Sequence, residues 1–166
     1  MNQLLYVKEL KNHYKMLRHG RSVGNVAHIL VGNPDIGTVS YGLIGDGRKQ
    51  SQATAEELRA MNGSDFDNWI IYSSDFLRAR ETAEIIRWKL GIRAFQLTPK
   101  LRERSFGKLE GGSDRRFKEF YHHDRTCANE SYMGVESAAS IQDRVTSLVR
   151  DLELFYSGKN ILSVLS

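Results

Sequence analysis

An alternation constrains this chain more than any other feature: short, continuous apolar runs recur, separated by amphipathic stretches of helical period. Tyr14 to Leu17 in HYKMLRHG is the first run, stopped by a basic pair and Gly20, and Trp69 to Tyr72 in NWIIYSSD repeats the form. RAFQLTP gives a weaker third run, and NILSVLS, from Asn160 to Ser166, a stronger fourth. A run that is apolar at successive positions buries both of its faces, as strands of a parallel sheet do. Between the runs, FLRARETAEIIRWKLG carries Leu77, Ala79, Ala83, Ile86 and Leu90 near helical spacing. Asp75 is placed to cap that helix and Gly91 to stop it. RKQSQATAEELRAM reads as a helix opened after Gly47. Ile141, Val145, Leu148, Val149, Leu152 and Phe155 line one face of a long helix that Gly158 ends. The pattern predicts an α/β three-layer sandwich, with a mostly parallel central sheet and helices on both faces.

The other bounds are loose. A chain of 166 residues, 40% hydrophobic, suits one domain over residues 1–166, and no repeat, linker or low-complexity block divides it. A formal charge of +4 tolerates an anionic partner but is far from a nucleic-acid-binding tail, so no nucleic-acid partner is expected. The single cysteine, Cys127, excludes an internal disulfide and leaves the redox compartment open, with a reduced cytoplasm the default. The opening MNQLLYVKELKN has a short apolar stretch broken by Lys8 and Glu9, neither a secretion signal nor a membrane span. A soluble, cytoplasmic protein with no membrane partner is expected.

In open α/β sheets the ligand lies beyond the carboxyl ends of the strands, which directs attention to the residues that follow each one. Arg18, His19 and Gly20, then Ser22 and Asn25, follow the first run; Ser73, Ser74 and Arg78 follow the second. Two arginines, a histidine and an amide at one sheet edge suit a phosphoryl group, whose oxygens guanidinium forks bind in pairs. Cationic neighbours disfavour protonation of an imidazole, so His19 would keep the lone pair needed to attack phosphorus. Gly20 would let the backbone turn close to the ligand. Taken alone, a histidine at a strand end is more often structural, and an arginine on a helix more often solvated. Convergence from two separate strands raises the functional reading.

At these residues a resemblance appears. LRHGRSVGN resembles the Arg-His-Gly signature of the histidine phosphatase superfamily, the phosphoglycerate-mutase-like fold. GLIGDGRKQSQ, YSSDFLRARETAEII, LRERSFGKLEGG and GVESAASIQDR are similar to later segments of that family, in its order. The resemblance implies that His19 is the phosphorylated nucleophile and that Arg18, Asn25 and Arg78 hold the phosphoryl oxygens. It implies Glu103 as proton donor and Arg104 as a substrate contact, with no metal or cofactor needed; Ser22, from its place after the first run, and Arg21, beside the pocket, are expected to bind substrate as well. Arg21 stands where the family commonly has Glu, adding positive charge beside the pocket. The expected function is hydrolysis of a phosphomonoester, with a small phosphorylated molecule as partner and a homodimer left open. The compact segment between Glu103 and the late helix favours hydrolysis over mutase-type phosphotransfer, because little remains to exclude water.

The family's last motif is a strand followed by Ser or Thr, His and Gly; here NILSVLS supplies strand and serine only. His122 and His123 follow RRFKEFY rather than a strand, so they do not replace it. The expectation is a domain truncated at its C-terminal end, favoured over a naturally shortened, catalytically crippled relative because the upstream motifs keep their side chains; in either case Ser166 leaves a sheet edge less covered. The alternative to an enzyme is a phosphate-binding module without turnover.

Competing motifs weigh less. GLIGDGRK spaces Gly42 and Gly47 like a phosphate loop but lacks Lys followed by Ser or Thr. No Arg follows Cys127 closely enough for a thiolate-phosphate cradle, and Asp65 and Asp67 read as turn residues. His122, His123, Asp124 and Cys127 carry metal-capable atoms but read as a solvated loop. RRFKEFYHHDR interleaves basic and aromatic residues, yet Phe117, Phe120 and Tyr121 have the spacing of a helix packing face.

Overall fold

The computed structural model describes residue 4 and residues 7–166. Most of the apolar stretch read above as neither signal nor span lies outside those residues, and no described helix is long and apolar enough to cross a membrane. In chain order the elements are β1 (His13–Arg18), α1 (Val23–Ala27), α2 (Pro34–Gly37), α3 (Gly45–Asn62), β2 (Trp69–Ser73), α4 (Leu77–Leu90), β3 (Ala94–Leu97), α5 (Phe117–Thr126), α6 (Ala138–Phe155) and β4 (Asn160–Leu165). The strands form one parallel sheet in the order β1-β4-β2-β3.

Side-chain alternation along β4 builds the layers. Leu162 and Val164 pack with Ile71 against Ala55 and Leu58 of α3 and Ala79, Ala83 and Ile86 of α4. Ile161 packs the other way, with Leu101 and with Leu148 and Leu152 of α6. Each face of the strand is therefore covered by helix, which is why the run carries no exposed polar alternation. A third cluster of Leu30, Phe106, Leu109, Phe120 and Val135 ties the intervening loops to α5.

Several local expectations are corrected. β4, whose end at Ser166 was expected to leave a sheet edge less covered, is central: it pairs with β1 on one side and β2 on the other, and the outer strands among the described residues are β1 and β3. Asp75 does not cap α4, which starts from an extended Phe76 with no side-chain cap, because the Asp75 carboxylate is taken by the Arg102 guanidinium. α3 opens at Gly45, ahead of the expected start. Phe155 is 79% exposed. The sheet-facing row of α6 runs Leu148, Leu152 and then Tyr156, and Phe155 is turned away from it. On α5 only Phe120 is buried, with Phe117 and Tyr121 about half exposed.

Glu153 of α6 fastens this layer to the entry of β1. Its carboxylate accepts from the Lys11 backbone N–H at 2.6 Å, Asn12 Nδ2 at 2.9 Å and the Tyr14 hydroxyl at 2.7 Å. Burial pushes this carboxyl up, but the hydrogen bonds from Tyr14, Lys11 and Asn12 outweigh it and hold the group below the usual range. Such a group stabilises the fold above the unfolded glutamate value and loses that contribution as pH falls through the depressed one. Glu153→Leu is expected to cost about 3 kcal/mol in urea denaturation at neutral pH, since buried donors lose a charged acceptor. The penalty should shrink toward acid; a loss under about 0.5 kcal/mol at pH 7 would contradict this role.

Candidate active site

The site is built where β1 and β2 leave the sheet. The His19 backbone N–H still donates to Leu165 O at 3.0 Å, so the residue is held by the central strand after β1 has ended. The next N–H, on Gly20, donates to Thr82 Oγ1 at 3.0 Å. A Cβ on Gly20 would stand 2.4 Å from Gly47 O. The backbone of α3 thus demands glycine at this position.

Two bonds fix the protonation of His19. Nδ1 lies 2.7 Å from Gly20 O, and Nε2 lies 3.1 Å from Arg78 Nε. A carbonyl only accepts and a guanidinium only donates, so the proton sits on Nδ1 and the lone pair on Nε2. His19 is 8% exposed. Burial, aided by the charges of Arg78 and Arg18 and opposed by the Gly20 carbonyl, lowers its pKa to about 4. The imidazole is neutral at physiological pH.

Arg78 stands in the first turn of α4, 5% exposed, with Nη2 donating to Val31 O at 3.1 Å and the guanidinium packed over the Phe76 ring at 5.1 Å. Burial lowers its pKa to about 10, partly offset by Glu103 and Glu110, which leaves it charged at pH 7. Ser22 caps α1: its hydroxyl accepts from Asn25 N while Asn25 Oδ1 accepts from the Ser22 backbone. With Oδ1 so engaged, the donor end of the Asn25 amide is the one left for the cleft. Glu103 lines the cleft as well, its carboxyl pushed up by burial against the pull of the Arg104 backbone N–H and of the Arg78, Arg104 and Arg18 charges. Arg18, His19, Ser22, Asn25, Arg78 and Glu103 together line a cleft of about 420 Å³, a small-molecule volume.

Arg21 and Arg104 are placed elsewhere. Arg21 is turned outward, its guanidinium 3.9 Å from Asp46 at the start of α3, and lies outside the cleft lining. Arg104 is 6% exposed and donates to Asp124 of α5 at 2.8 Å, with its guanidinium over Phe120. Ser73 and Ser74 are fully buried and shape the turn into α4 through bonds to Ser74 O and Phe76 N. The cleft's apolar wall of Ile29, Leu30, Val31 and Phe106 belongs to no periodic run and was not legible in the sequence, whereas Phe117, expected on a helix packing face, lines the cleft with them. Sequence reasoning also gave no role to Glu110, whose carboxylate accepts from Gly32 N at 2.6 Å and Asn33 N at 2.8 Å, holding the loop whose Val31 carbonyl orients Arg78.

Solved structures share this architecture. The mycobacterial glucosyl-3-phosphoglycerate phosphatase in complex with VO3 is 26% identical, with 90% of this chain and 73% of that one covered at a TM-score of 0.69. Bacillus stearothermophilus YhfR (24% identical, 93% and 74% covered, TM-score 0.72) and a putative alpha-ribazole-5'-P phosphatase from Escherichia coli (23%, 92% and 72%, TM-score 0.67) agree in fold. No curated protein matches the sequence. Fold and neighbours define a phosphoglycerate-mutase-like α/β protein. The family model of the histidine phosphatase superfamily (branch 1) matches residues 15–166, and the chain belongs to that superfamily.

The environment of His19 has a readable consequence. Because its pKa is lowered to about 4, below the ordinary 6.5, the unfolded chain takes up this proton first; the contribution to stability is full above about pH 6.5 and is lost as pH falls toward 4. A ¹⁵N titration of the imidazole should give a midpoint near 4 and show the Nδ1–H tautomer at pH 7, and Arg78→Met should raise the midpoint. A midpoint at the ordinary histidine value in the unsubstituted protein would contradict the site as described.

Proposed function

We propose that the protein hydrolyses a small phosphomonoester through a phosphohistidine formed on His19. The observation that carries this reading is the unprotonated His19 Nε2, buried in a cationic cleft while Nδ1–H is committed to the Gly20 carbonyl. In the first step Nε2 attacks phosphorus as the ester oxygen leaves, and Arg78 passes its Nε–H from the imidazole to a phosphoryl oxygen. Arg18 and the Asn25 amide bind the remaining oxygens, so charge that develops on the transferring group meets fixed donors. Glu103, carrying a proton because its carboxyl is pushed up, delivers it to the departing alkoxide. Its carboxylate then accepts a proton from the water that cleaves the N–P bond, releasing inorganic phosphate and restoring neutral His19. The phosphatase name of the mycobacterial neighbour and the VO3 in its complex support this reading.

A second reading, phosphate binding without turnover, has one observation in its favour: His19 is the only histidine among the described residues that line the cleft. Two substrates separate the readings. Glu103→Gln should slow release from an alkyl phosphate by about 10²–10⁴-fold, yet slow p-nitrophenyl phosphate far less, since that leaving group departs without a proton. Mass spectrometry of acid-labile, alkali-stable label should map phosphate to His19 and lose it in His19→Ala. Stoichiometric binding of phosphate with no release from either ester would establish the second reading instead, and release undiminished in His19→Ala would sink the first.

A further inference from the structure

Outside the cleft, where α5 ends, the chain gathers a second set of reactive atoms. A ring nitrogen of His123, the Cys127 sulfur and a carboxylate oxygen of Glu130 lie within 4.8 Å of one another. Backbone bonds produce this convergence. Cys127 N–H donates to His123 O at 2.8 Å, closing the last turn and setting the two side chains one above the other. The chain then leaves the helix at Cys127, and Glu130 N–H donates to Cys127 O at 3.0 Å in a turn that brings the carboxylate back. The sequence grouping is reshaped: Asp124 leaves it to bind Arg104, and Glu130, three residues past the cysteine, joins.

An independent observation points to a ligand. His123 Nε2 is buried and has no hydrogen-bond partner among the described residues. Buried ring nitrogens are ordinarily paired, and a bound cation is one way to pair them. The carbonyl end of α5, negative in its dipole, also favours positive charge nearby.

We infer that His123, Cys127 and Glu130 form a three-residue site for a borderline-soft divalent cation, with Zn²⁺ the best fit. A thiolate, an imidazole and one carboxylate suit zinc, whereas magnesium and calcium demand oxygen donors throughout. Bond lengths of about 2.0–2.3 Å place tetrahedral zinc ligands roughly 3.3–3.6 Å apart, so side chains already within 4.8 Å of one another need close by no more than about 1.5 Å onto the ion. Three protein ligands leave a fourth position for water. Binding releases the thiol proton to solvent, so the affinity rises with pH. The site braces the end of the helix that carries Asp124, the partner of Arg104, and Phe117, which lines the cleft.

Cobalt(II) titration of the full chain under a phosphine reductant tests this. Because Cys127 is the sole cysteine, a thiolate-to-cobalt charge-transfer band can arise from no other residue of the chain. One equivalent of Co²⁺ should produce that band with the visible absorption of tetrahedral cobalt; Zn²⁺ should bleach both and excess Mg²⁺ neither. Cys127→Ser should abolish the band, and His123→Gln and Glu130→Gln should each weaken binding at least tenfold. Exposed His122→Gln should leave it unchanged, and circular dichroism shows that each variant is folded. Absence of the thiolate band, binding undiminished in Cys127→Ser, or loss in His122→Gln but not in His123→Gln would overturn the assignment. None of these readouts depends on phosphate release.

Discussion

Everything at the cleft depends on the contact between one guanidinium and one neutral imidazole. Arg78 and His19 belong to segments that leave different strands, and their 3.1 Å contact is possible only while Nε2 is unprotonated. The same burial that lowers the histidine's pKa would make the arginine costly, and the fold answers by surrounding it. A carbonyl from the loop after α1, the face of Phe76, and the carboxyls of Glu103 and Glu110 all attend this one side chain. A buried cation is tolerated where its donors are used and opposite charges lie close.

Those attendants need their own anchors, which explains residues that look unrelated to chemistry. Glu110 holds the Gly32–Asn33 backbone, and a Cβ on Gly32 would stand 2.1 Å from Arg104 O, so this loop is pressed against the segment bearing Glu103. Thr82, one turn beyond Arg78 on α4, accepts from Gly20 N–H and donates to Arg78 O. Imidazole and guanidinium are thereby tied to the same helix by the backbone as well as by their side chains. Preorganisation of this sort is what lets a site stabilise charge without reorganising during the reaction.

Much of this was readable from sequence where a residue's partner is set by period. The strands were visible because a strand buried on both faces must be apolar throughout, and His19 and Arg78 were visible because strand exits are where such sheets bind ligands. The arginines at 21 and 104 were not separable from the other two by type alone. Their destinations depend on Asp46 and Asp124, which approach only after α3 and α5 pack. Strand order was equally hidden: nothing in NILSVLS distinguishes a central position from an edge. Phe155 was misplaced because a helical stripe drifts by its last turn, and Tyr156 took the position. Glu130 was absent from the metal-capable grouping because its return depends on a turn outside the helix, where spacing carries no directional information.

The central place of β4 bears on how the fold is reached. His13 pairs with Asn160 and Trp69 with that same residue, so β1 and β2 are joined only through β4, a segment made after both. During synthesis the early strands must wait, with α3 and α4 able to form only a local hairpin beside β2 and β3. Such long-range pairing predicts slow closure of the sheet. Until then the facing edges of β1 and β2 lie unpaired, the kind of exposure that makes a folding intermediate prone to aggregation.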